Sequence, residues 1–90
     1  MEYTKGEWKA HLTLPDDQVW VLNKDSAKIL ASIHSKECPN ETEREANAHL
    51  IAAAPDMYEA LSQLRNDSQW AKLRPNTREA IIKALAKAEE

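Results

Sequence analysis

From Gly6 to Leu14 the chain reads GEWKAHLTL, with Trp8, Ala10, Leu12 and Leu14 at every second position and Glu7, Lys9, His11 and Thr13 between them. A period of two places one set on a buried face and the other in water, which predicts a β-strand. Pro15, Asp16 and Asp17 supply a turn, since proline presets φ and aspartate bonds to its own local backbone. QVWVLN, residues 18–23, is β-branched and aromatic and reads as the return strand. NKDS, 23–26, is the next turn. AKILASIHS then sets Ile29, Ala31 and Ile33 on one face and Leu30 and Ser32 on the other, a third strand. The expected product is an antiparallel meander over residues 6–34.

The period then changes. KECPNETERE, 36–45, is polar and serves as the crossover. Thr42 with Glu45, and in competition Asn40 with Glu43, have capping-box spacing, so a helix should begin near residue 42. Ala46, Leu50, Ala53, Met57, Leu61 and Leu64 recur at threes and fours, a stripe expected to lie on the sheet. Pro55 interrupts it. Inside a helix proline removes one hydrogen bond and clashes with the preceding turn, at about 3 kcal/mol, whereas it suits a first helical position. Two consecutive helices joined at Pro55 are therefore expected over 42–65. NDSQWAKLRPN, 66–76, reads as a loop with a short helical turn, and Asn76 with Glu79 opens a last helix over 76–89 with Ile81, Ile82, Leu85 and Ala88 buried. Strands followed by helices predict a single α+β domain over residues 1–90, with the C-terminal helix packed on one face of the sheet.

The segment EREANAHLIAAAPDMYEALSQL resembles the signature of short proteins encoded by tailed bacteriophages and prophages, of the form E-A-x-A-N-A-x-L-I-A-A-A-P-D-L-x-E-A-L after a strand-rich start. KGEW, the strands that follow and the ending ALAKAEE suit the same pattern. Met57 and Tyr58 stand where members often carry Leu-Leu. The resemblance implies a setting rather than a chemistry, and carries over no catalytic or binding residue. Small accessory phage proteins commonly modulate the host or block its defences, by binding a protein or by trapping a signalling nucleotide.

Composition narrows the classes. Ninety residues bury a modest core, which self-association would supplement. The single cysteine, Cys38, leaves no intramolecular disulfide and suits a reducing compartment. No apolar run reaches the roughly 20 residues of a membrane span, and MEYTKGEWK lacks the apolar core of a signal peptide, so a cytoplasmic protein in the bacterial host is expected. The formal charge is −3, with cations interleaved among carboxylates, which disfavours nucleic-acid binding.

Candidate chemistry is sparse. His11, His34, Cys38 and His49 are scattered, with neither C-x-x-C nor H-x-x-x-H, so no metal or cofactor is expected. Cys38 with His34 as base would need an orienting group and an oxyanion hole, and nothing marks either, so no enzyme is expected. With one glycine, Gly6, a phosphate cradle would fall to side chains, and Arg74 and Arg78 beside Trp70 are the candidates for a nucleotide-sequestering oligomer. Asn47 is expected to make a buried structural hydrogen bond, and Ala52, Ala53 and Ala54 with Pro55 a close-packed corner. If Val19 and Val21 face the core, Trp20 and Leu22 face outward, where an aromatic marks an interaction surface. The leading expectation is thus a non-catalytic protein that binds a host protein, with the surface at Trp20, Leu22 and Leu30 or around Tyr58 and Trp70. The alternative is nucleotide sequestration at Arg74, Arg78 and Trp70.

Overall fold

In a computed structural model describing residues 2–12 and 18–89, strands β1 (Trp8–Leu12), β2 (Gln18–Asn23) and β3 (Ile29–His34) form an antiparallel sheet in the order β1-β2-β3. Thr13 and Leu14 of the expected first strand, and the turn at Pro15–Asp17, lie outside the described residues. Ala10 pairs with Val21 and Leu12 with Val19, so these share one face, while His11 pairs with Trp20 on the other. Val19 is 2% and Val21 0% exposed, which settles the register in the expected sense. The third strand departs from expectation. Leu22 pairs with Ile29 although Val21 pairs with Ala31, a bulge that adds Leu30 to one strand and breaks the alternation. Ile29 consequently stands opposite Leu22 rather than inward with Ala31 and Ile33, and is 51% exposed.

Asn23 ends β2 and is 3% exposed. Its Nδ2 donates to the Lys5 carbonyl at 2.7 Å, and its Oδ1 accepts from the amides of Asp25 and Ser26 and from the Ser26 hydroxyl at 3.1, 2.9 and 2.9 Å. One side chain therefore ties the N-terminal segment to the β2–β3 turn. Gly6 is the neighbour that permits it: its φ is +99°, and a Cβ there would stand 3.0 Å from Asn23 Nδ2 and 2.9 Å from an Asp25 carboxylate oxygen.

Helix α1 (Glu41–Arg65) follows. Asn40 Oδ1 accepts the Glu43 amide at 2.9 Å, so the earlier of the two capping spacings opens it. Its core-facing stripe is not Ala46, Leu50, Ala53 and Met57, since Ala46 is exposed, Leu50 62% and Met57 42% exposed. Ala48 is fully buried against Val19 and Val21, with Ile51 and Ala52 packed beside it. Both stripes have helical spacing, so the period alone does not choose between them.

The helix also runs through Pro55, contrary to the expected pair of helices. Breaking it there would strand up to four amides and four carbonyls, against the single bond that proline removes. Asn47 is exposed rather than buried, although its Nδ2 does donate a part-buried hydrogen bond to Cys38 Sγ at 3.9 Å.

The chain gathers into two compact units, Glu2–Pro55 and the segment from Asp56 onward. The second contains the end of α1, a 3-10 turn at Trp70–Lys72 and helix α2 (Pro75–Ala88). Pro75 sits in the first turn of α2 and Arg74 in the cap position without a side-chain cap, so α2 starts one residue before the expected Asn76. Ile81 and Leu85 are buried as expected, but Ile82 is 50% exposed and Ala88 is exposed. No helix among the described residues is long and apolar enough to cross a membrane.

Candidate interaction surface

The outer sheet face collects three of the residues singled out above. Trp20, Leu22 and Leu30 are all half-buried on or beside it, and the bulge adds Ile29 to them. Trp20 is held in place: its indole N–H donates to Gln18 Oε1 at 3.0 Å, and its ring lies 6.3 Å from the His11 ring. An aromatic fixed by a neighbour and left partly in water loses little side-chain freedom when a partner covers it. Periodicity alone located this patch once Val19 and Val21 were assigned inward. The bulge that brings Ile29 to it has no local signature in the chain, because it arises from pairing with β2.

Tyr58 and Trp70 lie in the second unit. The Tyr58 hydroxyl donates to Glu89 Oε1 at 2.9 Å, with Arg65 4.0 Å from the same oxygen. That bond to a carboxylate, with some loss of hydration and the carboxylate's charge, raises the Tyr58 pKa above the ordinary tyrosine value. Trp70 is half-buried in the 3-10 turn. Arg74 is exposed, and Arg78 donates from Nη1 to the Ala71 carbonyl at 2.9 Å, fastening that turn to α2. The guanidinium of Arg78 thus acts as a structural tie, while Arg74 remains in solvent.

Arg44, near the start of α1, is 5% exposed. Its Nη1 donates at 2.8 Å to both the Cys38 and Pro39 carbonyls, strapping the crossover loop to α1. Cys38 is buried, and its amide bonds to the His34 carbonyl at 3.0 Å. His34 Nδ1 accepts the Lys36 amide at 3.2 Å, so that nitrogen is not turned to the thiol as a base. His11, Glu45 and His49 border a cleft of about 180 Å3 floored by Ala10, Leu12 and Val19. Among the described residues no three His, Cys, Asp or Glu side chains are grouped to hold a metal ion.

A protein-family model described as Salmonella phage P22 protein Y8K6 matches residues 1–90. No curated protein and no solved structure matches the chain.

Proposed function

The chain belongs to this phage protein family, and on that premise we propose that it is an accessory protein that acts without catalysis, by binding a host protein through the outer face of its sheet. One observation carries the reading: Trp20, Leu22, Leu30 and Ile29 gather on the face opposite the Val19–Val21–Ala48 core, with Ile29 51% exposed. Contiguous apolar surface around a fixed aromatic is the usual centre of a protein interface. A component of an antiviral defence system is the target class that the phage setting favours.

The test compares the tagged protein with a Trp20→Ser/Leu22→Ser variant in native pull-downs from host lysate, with mass spectrometry of retained proteins and released small molecules. A stoichiometric host protein held by the parent and lost by the variant, at unchanged circular dichroism, is the expected result. Equal retention by both moves the surface off the sheet. A released nucleotide without a protein would instead favour sequestration at Arg74, Arg78 and Trp70.

A further inference from the structure

Trp20 stands on the central strand, and on the outer face its neighbours are His11 on β1, Ser32 on β3, and Gln18 and Leu22 along β2 itself. Residues two apart on a strand share a face, so the Gln18 side chain lies beside the indole. The two are joined, the indole N–H donating to Gln18 Oε1 at 3.0 Å. His11 flanks the ring from the next strand, with 6.3 Å between ring centroids and a tilt of 32°.

An indole has one polar hydrogen and no acceptor, so a bond made inside the molecule leaves the ring with nothing to offer a hydrogen-bonding group. What remains is a flat apolar plate. A partner that set an acceptor on it would lose that group's water and gain no bond from the ring in return. A cation would meet the π face but no counter-charge, since the three strands contain no Asp or Glu and Lys9 stands opposite Leu22 on the same face. An aliphatic or aromatic group fits. Leu22 and, paired with it, Ile29 continue the apolar surface from Trp20 toward one end of the sheet, while Gln18 and His34 make the other end polar.

We infer that Gln18 is a positioning residue of this surface: by taking the indole N–H it fixes Trp20 as an apolar plate, and the host protein covers that plate with an aliphatic or aromatic side chain. This rests on the reading of the outer sheet face as the binding surface and names what the partner presents there. A ring held in place before the partner arrives spares part of the cost of ordering it on contact. Gln18 therefore acts on the partner through Trp20.

The probe is an unbiased library of displayed 12-residue peptides, selected on the full chain, with the enriched peptide then synthesised for affinity measurement and for NMR of the indole N–H signals. Expected is a peptide that shifts the Trp20 indole signal and weakens about tenfold when one of its aliphatic or aromatic residues becomes Ala. Gln18→Leu should weaken binding about fivefold, and Gln18→Glu, which keeps an acceptor, by less than about twofold. Trp20→Phe keeps a plate without the N–H and should cost about threefold. Added to Trp20→Phe, Gln18→Leu should cost nothing further, a non-additivity that a merely structural role would not produce. Each free variant's own spectrum shows that it is folded. Additive losses, equal losses in Gln18→Leu and Gln18→Glu, a peptide that needs only its polar residues, one that leaves the Trp20 signal unmoved, or no enriched peptide would each overturn the inference. If it fails while Trp20→Ser/Leu22→Ser still loses the host protein, the sheet-face reading stands and the positioning role falls. If Trp20→Ser/Leu22→Ser keeps host protein and peptide alike, the face reading falls as well.

Discussion

The two faces of the sheet are built from alternate residues of the same three strands, yet they differ in almost every physical respect. The inner face places Val19 and Val21 at 2% and 0% exposure beneath Ala48, and ends in a buried Asn23 whose side chain is bonded on both sides. The outer face leaves Trp20, Leu22 and Leu30 half-buried and Ile29 51% exposed, bordered by Lys9 and His11. Apolar residues thus occupy both faces, but only one set is covered within the Glu2–Pro55 unit. The inner face spends its side chains on stability, and the outer one holds apolar area that folding has not used. Substitutions should separate the two.

The largest effect is expected at Asn23. Asn23→Ala leaves the Lys5 carbonyl and the Asp25 and Ser26 amides without their partner, and should destabilise the protein by about 3 kcal/mol in urea denaturation. A loss below about 1 kcal/mol would mean that water replaces the side chain. Ala48→Leu comes next: forcing a larger side chain between α1 and the sheet should cost about 2 kcal/mol, read as a lower thermal midpoint. No loss there would show that the helix can lift from the sheet freely. On the outer face, Trp20→Ser and Leu22→Ser should each cost under about 1 kcal/mol, because each is already partly in water. A cost equal to that at Asn23 would erase the contrast between the faces. Smallest is Ile29→Thr, which keeps a β-branched residue at an exposed position and should change stability by less than about 0.5 kcal/mol in the same assay. A large loss would mean that the bulge depends on the Ile29 side chain.

Much of this was legible along the chain, and the failures have identifiable causes. Alternation placed β1, β2 and β3 and set Trp20 on the face opposite Val19 and Val21, because a period of two ties each residue's face to that of its neighbours; the burial of Val19 and Val21 then made that face the outer one. The outer patch was readable for the same reason, apart from Ile29. Nothing local to Arg44 marks its burial, which follows from where the crossover loop presents the Cys38 and Pro39 carbonyls. Asn23 looked like an ordinary turn residue. Its role depends on the Lys5 carbonyl, which stands eighteen residues away in the chain and is brought near by the β1–β2 pairing.

The sequence by itself determined the order of three strands and then helices, and narrowed the cap of α1 to Asn40 or Thr42 and the parity of β2 to two registers, since each is set by residues within a turn or two of one another. The structure chose Asn40 and the register with Val19 and Val21 inward. Tertiary structure decided the rest. Two apolar stripes on α1 both satisfy the helical period, and only the folded chain shows that Ala48, Ile51 and Ala52 pack on Val19 and Val21 while Leu50 and Met57 stay exposed. The bulge at Leu30 turned Ile29 outward because β2 and β3 pair across it unequally. Pro55 stayed inside one helix because the backbone groups on both sides of it are better satisfied by continuing than by stopping.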